Sequence, residues 1–262
     1  MNLPERLYIQ ANQRCNLKCV HCTLHRNQVC ITEQELDDKL HIIGEFAALN
    51  PDGLVDICQR GEPLLDPYFF ILLEACQKND LKMQTTLNGT MVNDQVAKLL
   101  LEYPKLKIHI SLDSIDPEVH DRQRGMKGTW EFATRAIKFL RCHVSCLITK
   151  DLNQAEFTQF VTKLGAKGVT FNPVQPRFGD ANAWVNPSSD PFYQEHNSVK
   201  PKVCTKYKRD IVVDHHNNLN FCFDPSKLKP IKYTRGCLNT FWCNTDRSKF
   251  KGCKMPCSWG CP

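Results

Sequence analysis

An α/β fold with a parallel sheet is predicted by three features of this 262-residue chain. Strand-like and helix-like segments alternate with little else over the first two thirds, six strand-then-helix units follow one another, and glycine and polar residues collect at the strand ends. Such alternation implies parallel strands joined by right-handed crossovers. Six units rather than eight fit an open partial barrel, a (β/α)6 arrangement whose active site lies at the C-terminal ends of its strands, as in closed barrels.

The elements follow in order. Leu7 to Ala11 reads as the first strand, and Thr32-Glu-Gln-Glu35 is a capping box opening a helix with apolar Leu36, Leu40, Ile43, Phe46 and Ala47 at helical spacing. Gly53 to Cys58 is the second strand, and Asp66-Pro67 caps a helix through Phe69, Leu72, Leu73 and Cys76. Lys82 to Leu87 is the third strand, ended by Asn88-Gly89, with a helix from about Asn93 to Glu102. Leu106 to Leu112, His143 to Ile148 and Gly168 to Phe171 complete the strands, and helices run from about Thr129 to Arg141 and from Gln154 to Leu164.

Between the first strand and the first helix stands Cys15-Asn-Leu-Lys-Cys19-Val-His-Cys22. Three thiols so spaced can converge on one iron-sulfur cluster and are one ligand short of the usual four. An iron without a protein ligand is open to a small molecule, as the open position of a catalytic zinc is. A structural zinc site is the competing reading.

Fifteen cysteines in a chain of this length, odd in number, fit metal clusters in a reducing compartment better than a disulfide scaffold. No apolar run approaches the roughly 20 residues of a membrane span, and the N-terminus is not a signal peptide, so a cytoplasmic protein with no membrane partner is expected. Charge is uneven: residues 200 to 262 carry 13 basic and 4 acidic side chains, within a net charge of +6 for the whole. RNA, an acidic electron donor, or anionic clusters inside the same segment would each explain that excess, and the seven cysteines of the segment favour the last.

The Cys-x3-Cys-x2-Cys loop resembles that of radical S-adenosylmethionine (SAM) enzymes. The resemblance implies a TIM-like partial barrel, a catalytic 4Fe-4S cluster on Cys15, Cys19 and Cys22, and SAM chelated to the open iron, with His21 beside the adenine. Arg60-Gly61-Glu62-Pro63 is similar to the family's Gly-Gly-Glu-Pro motif for the methionine amino group, with Arg60 in place of the first glycine. Thr86, Asn88 and Gly89, then Ser111 and Asp113, resemble the Thr-Asn-Gly and Ser-Leu-Asp-Gly positions of the subgroup with extra clusters, Ser114 replacing the last glycine. His120-Asp121-Arg122-Gln-Arg124-Gly125 is similar to its His-Asp-x-x-Arg-Gly segment, which implies pairing of Arg124 with the methionine carboxylate. Asn172, just past the sixth strand, would offer backbone to adenine.

Three regions are therefore expected: the barrel over 1–176, a proline-interrupted linker or lid over 177–203, and a small cysteine-rich iron-sulfur domain over 204–262. The last opens with a hairpin, Ile211 to Val213 and Leu219 to Phe221, whose turn asks Asn217 or Asn218 for a left-handed backbone. It resembles the auxiliary-cluster domains called SPASM and twitch. Cys204, Cys222, Cys237, Cys243, Cys253, Cys257 and Cys261, in a helix-poor run, would hold one or two further 4Fe-4S clusters. Cys30, Cys58, Cys76, Cys142 and Cys146 read as ordinary buried thiols.

The expected activity is reductive cleavage of SAM to a 5′-deoxyadenosyl radical that takes a hydrogen atom from a peptide or small polar metabolite, with an auxiliary cluster assisting oxidation or cross-linking. A flavodoxin or ferredoxin-type reductant is implied. With no leader-binding domain before residue 5, a peptide substrate would call for a separate recognition partner. An RNA-modifying radical enzyme and a non-catalytic iron-sulfur or zinc protein are the alternatives. No catalytic base stands out; His109 reads equally as a packed core residue.

Overall fold

The computed structural model describes residues 3–22, 29–57, 61–174, 206–222 and 229–248. Six strands, β1 (Arg6–Ile9), β2 (Leu54–Ile57), β3 (Lys82–Leu87), β4 (Leu106–Ser111), β5 (His143–Ile148) and β6 (Gly168–Pro173), lie side by side in chain order and are all parallel. Between them run α1 (Glu33–Leu49), α2 (Phe69–Lys78), α3 (Asp94–Leu101), α4 (Pro117–Arg124), α5 (Thr129–Leu140) and α6 (Gln154–Lys163). This is the α/β partial barrel that the alternation implies.

The sheet does not stop at β1. β7 (Asp210–Val213) pairs parallel with β1, and β8 (Asn218–Asn220) and β9 (Ile231–Lys232) continue antiparallel, so nine strands run in the order β6-β5-β4-β3-β2-β1-β7-β8-β9. A short helix, α7 (Leu238–Asn244), follows. The hairpin expected near Ile211 is thus part of the barrel sheet, and Asn217 takes the left-handed conformation, φ 60°.

The register sorts side chains onto two faces. Leu7, Ile9, Val55, Ile57, Met83, Leu87, Ile108, Ile110 and Val144 pack with Ile42, Ile43, Phe46, Leu72, Ile137 and Phe157 of the helices in one apolar core. The opposite face is polar for much of its breadth: Tyr8, Asp56 and Gln84 stand in one row, and Thr86, His109 and His143 in the next. A sheet that packed helices on both sides would read apolar on both. The polar face of a partial barrel is its lumen, and Arg6 donates to the Tyr8 hydroxyl at 2.8 Å there while Gln84 donates to Asp56 at 2.9 Å.

Three sequence expectations need correction, and one segment without a sequence assignment is helical. Asp66 does not cap α2; its carboxylate accepts the Tyr68 N–H at 3.0 Å in a turn, and the helix begins at Phe69. The charged segment after β4 is helical: Asp116 accepts the N–H groups of Glu118 and Val119, and Pro117 occupies the first turn. Asn172 lies inside β6 rather than beyond it. The tail holds α7 between Cys237 and Cys243, where a helix-poor run was expected. Of the thiols read as core, Cys76, Cys142 and Cys146 are buried, Cys30 is half-buried beside Asn12, and Cys58 lies outside the described residues. The linker expected over 177–203 also lies outside them.

The basic tail finds acidic partners on α1. His216 sits 2.9 Å from Glu35, Asn217 donates to Asp38, and Arg235 pairs with Asp37. Lys39, fully buried on the same helix, donates to the carbonyl of Asp214 at 2.7 Å, to that of His215 at 3.4 Å and to Asn217 Oδ1 at 2.5 Å. Part of the cationic excess is therefore spent within the chain.

Candidate active site

The three thiols of the first loop are neighbours at the C-terminal end of β1. Cys15 and Cys19 each feel the charge of Cys22, the Cys22 N–H donates to the Cys19 carbonyl at 3.0 Å, and the Leu17 N–H donates to Cys15 Sγ at 3.5 Å. Burial pushes the Cys15 thiol up to about 11 and raises Cys19 as well. Protonated, buried thiols become ligands only when a metal displaces their protons. Among the described residues no three His, Cys, Asp or Glu side chains converge as ligands of a single ion would. Thiols that each bind a different iron of one cluster need no such convergence.

Two segments, one at the end of β2 and one at the end of α4, grip this loop from behind. Gly61 lies against Arg14: a Cβ there would stand 2.0 Å from the Arg14 carbonyl oxygen, and that oxygen accepts the Glu62 N–H at 2.7 Å. Asn12 completes the clasp, donating to the Glu62 carbonyl at 3.0 Å while its Oδ1 accepts the Arg14 N–H at 2.7 Å. On the other side the end of α4 leans on the loop. The Val20 N–H donates to the Gln123 carbonyl at 2.9 Å, and Gly125, left-handed at φ 70°, has Lys18 O 2.3 Å from where its Cβ would be. Only glycine serves at either place.

Two buried acidic groups flank the thiols. Glu62 accepts the Asn88 N–H at 2.8 Å and the Leu64 N–H at 3.4 Å; burial pushes its carboxyl up to about 7, and those hydrogen bonds pull against the rise. Pro63 follows it, buried, in a turn of 3-10 helix. Asn88 also donates to Asn16 at 2.9 Å, and Asn16 to Thr90 at 2.8 Å, which ties the β3 end to the cysteine loop. The second group is Asp113, 2.7 Å from Arg124 with both side chains almost wholly buried. Burial opposes ionisation of Asp113, but the Arg124 guanidinium, His21, His120 and the Leu147 N–H hold it below the usual carboxylate range. Arg124 also bonds the Cys19 thiol, and its Nε has no hydrogen-bond partner among the described residues. His120 is neutral: burial and then Arg124 bring it down to about 4, and its Nδ1 accepts the Asp113 N–H at 3.2 Å.

The remaining candidates lie along the lumen. Ser111 and Ser145 face each other across β4 and β5, Asn172 donates to Ser145 Oγ at 3.0 Å, and Thr86 is exposed on β3. His109 is 5% exposed, its Nε2 has no hydrogen-bond partner among the described residues, and its ring lies 5.3 Å from that of His143. Beside the thiols, a cavity of about 480 Å³ opens among Val20, Asp113, Thr149, Leu152 and Phe157. That volume suits a small organic molecule. Asn12 and Asn16 tie the loop to the strand ends, and the sequence reading passed over both; Asn12 opens the polar run before Cys15 and Asn16 directly follows that thiol. Of the tail's thiols, Cys222, Cys237 and Cys243 are described, whereas Cys204, Cys253, Cys257 and Cys261 lie outside the described residues, as does Arg60 after β2.

A three-thiol loop at the mouth of a partial α/β barrel, with a buried carboxyl and a buried guanidinium beside it, defines a cofactor-dependent enzyme class. The radical SAM superfamily profile matches residues 9–149, more than half of the chain, and the chain belongs to that superfamily, whose cofactors are SAM and a 4Fe-4S cluster. It is 29% identical over 198 residues to the antilisterial bacteriocin subtilosin biosynthesis protein AlbA of Bacillus subtilis, covering 72% of this chain and 43% of that protein. The AdoMet-dependent heme synthase of Methanosarcina barkeri is 30% identical over 141 residues, 53% of this chain and 40% of that one. Mycofactocin maturase MftC of Mycobacterium tuberculosis is 25% identical over 210 residues, 72% of this chain and 50% of that one. The chain thus spans half or less of these relatives. Among solved structures, Streptococcus suis SuiB bound to S-adenosylmethionine superposes with TM-score 0.73 at 16% identity, over 95% of this chain and 67% of that one. At that identity the likeness concerns fold alone. No helix of the described residues is long and apolar enough to cross a membrane.

Proposed function

We propose that this chain modifies a peptide by radical chemistry. What carries the reading is the clasp in which Gly61, Glu62 and Asn12 hold the loop of three thiols. A peptide as substrate is favoured by the relatives: one serves the biosynthesis of a bacteriocin, another is named a maturase, and SuiB has been crystallised with its precursor peptide SuiA.

The residues at hand fit the group they would hold. Cys15, Cys19 and Cys22 would ligate the cluster. Glu62, buried with an unusually basic carboxyl, suits the amino group of methionine. Arg124 has a buried Nε free to meet a carboxylate while its other nitrogens hold Asp113 and Cys19. The cavity beside Val20 and Phe157 suits the nucleoside, and His21 follows Val20 in sequence and acts on Asp113, which lines that cavity. When bound, cluster and SAM supply a 5′-deoxyadenosyl radical able to take a hydrogen atom from an unactivated carbon. The chain's own part is to hold and orient the cofactor in that cavity, whose lining mixes Val20, Leu152 and Phe157 with Asp113 and Thr149. Thr86, Ser111, Ser145 and His109 line the lumen in which a substrate carbon would wait.

A tail from residue 204 as an auxiliary-cluster unit, with Cys222, Cys237 and Cys243 among its ligands, completes the reading, together with a flavodoxin or ferredoxin-type reductant. Docking of Arg235 and His216 onto acidic residues of α1 weighs against RNA as the tail's partner. Reduction of the reconstituted protein with dithionite in the presence of SAM is expected to release 5′-deoxyadenosine, and none from a Cys15, Cys19, Cys22 triple alanine variant. No release by the parent protein would sink the proposal.

A further inference from the structure

We propose that Glu45, on α1, is a positioning residue for Cys237 as an auxiliary iron-sulfur ligand. The inference rests on the reading of Cys237 as a cluster thiol. Glu45 brackets that residue on both sides: its Oε1 accepts the Gly236 N–H at 2.6 Å and its Oε2 accepts the Leu238 N–H at 3.0 Å. The Tyr233 hydroxyl donates to the same Oε1 and so fixes the carboxylate; burial, and then that bond, push the phenol up. One side chain of the barrel thereby sets the backbone immediately before and after a single thiol, 192 residues further along the chain.

The thiol is itself arranged as an acceptor. Thr234 to Cys237 form a turn closed by the Cys237 N–H on the Thr234 carbonyl at 3.0 Å, with Gly236 left-handed at φ 82°. In return the Thr234 N–H donates to Cys237 Sγ at 3.4 Å. A backbone donor aimed at sulfur suits a thiolate and not a buried apolar thiol, and hydrogen bonds to ligand sulfurs are among the determinants of cluster potential. The Leu238 N–H opens α7 and has no helical acceptor, so Glu45 also caps that helix. The two N–H groups that it takes are those that fix the Cys237 backbone.

The test uses the full chain with Cys15, Cys19 and Cys22 replaced by alanine, so that remaining iron belongs to the tail. Glu45→Ala is expected to surrender that iron to EDTA about 10–100-fold more readily, the usual cost of losing an outer-shell partner, and to shift the midpoint potential and electron paramagnetic resonance g-values of the reduced cluster. Tyr233→Phe, which keeps the carboxylate but frees it, is expected to shift them less and in the same direction, and decides the matter if Glu45→Ala does not fold. Asp37→Asn breaks a separate contact between α1 and the tail and is expected to change neither. Unchanged iron retention and potential in both Glu45→Ala and Tyr233→Phe would overturn the inference, as would an Asp37→Asn effect equal to theirs, which would reduce Glu45 to docking. A parent background that holds no iron would instead overturn the auxiliary-ligand reading itself, before any Glu45 variant is compared.

Discussion

The two thiol-bearing regions are held in opposite ways. Around Cys15, Cys19 and Cys22 the grip is largely steric and comes from the end of β2 and the end of α4: glycines let backbones touch, and a buried ion pair backs the loop. Around Cys237 the grip is electrostatic and comes from the flank of α1, through carboxylates that reach N–H groups, a phenol and an arginine. The difference teaches where each tolerates change. A site held by close backbone contact fails when one methyl group is added; a site held by charge fails by degrees.

That contrast is sharpest at Gly61 and Gly125. Gly61→Ala would set a Cβ 2.0 Å from a carbonyl oxygen, and Gly125→Ala would add strain at a left-handed residue already facing Lys18 O at 2.3 Å. Neither neighbour is the end of a flexible side chain. Each variant is expected to lose the first cluster and all release of 5′-deoxyadenosine while keeping the iron of the tail, as read by iron per chain and by product chromatography. Retention of the first cluster in both variants would break the contrast.

Next in size is the pair Asp113 and Arg124. Removing one member of a buried ion pair leaves the other uncompensated, so Arg124→Met is expected to destabilise by about 3–5 kcal/mol, measured by urea unfolding of the apoprotein. Adding Asp113→Leu should return part of that loss, because what costs most is the stranded charge. An additive double variant would show that the two groups do not act as a pair.

Much of the fold was legible because local pattern and long-range packing agree. Ile43, Phe46 and Ala47 keep helical spacing and are buried, and Asn217, placed where a hairpin turn lacks glycine, is left-handed. What escaped reading depends on partners far along the chain. Lys39 occupies the buried stripe of α1, three residues after Leu36, and nothing local says that a lysine will be buried there. Its acceptors lie 175 and more residues away in the β7–β8 turn. The parallel pairing of β7 with β1 was hidden for the same reason. Asp116-Pro117, by contrast, was a readable helix start that the charged residues after it obscured. At the candidate site, the motifs pointed to Glu62, Asn88 and Arg124, which the fold brings beside the thiol loop, but the clasp by Asn12 needed the fold to bring residue 12 to residue 62.

Lys39 also supplies a test of the electrostatic side through pH. Burial brings its ammonium down to about 7 from 10.5. Between those values the unfolded chain binds a proton that the folded chain does not, so this group adds stability as pH rises from 7 toward 10.5 and loses that contribution as pH falls through 7. Lys39→Met removes the group and leaves its acceptors bare, an expected net cost of about 1–3 kcal/mol near neutrality. The difference in unfolding free energy between parent and variant should grow from pH 7 to 10. A flat difference would mean that Lys39 keeps its proton and that the three acceptors outweigh burial.

The smallest effect belongs to the exposed end of the same interface. Arg235 and Asp37 are paired, yet their side chains are 55% and 48% exposed, so water and salt compete with them. Exposed pairs are worth about 0–1 kcal/mol, and Asp37→Asn is expected to cost no more than that, with most of the cost gone at 1 M salt where the screening length is about 3 Å. Glu35 differs on this very helix. Burial opposes it, but bonds from Thr32 and His216 bring its carboxyl down to about 2, so its contribution holds above about 4.5 and fades as pH falls toward 2. Acid unfolding of Glu35→Gln and Asp37→Asn should therefore separate: the first loses the stability gained between pH 2 and 4.5, whereas the second retains it. Equal acid profiles would place the latch in overall charge rather than in individual contacts, and the grading from α1's buried residues to its exposed ones would go with it.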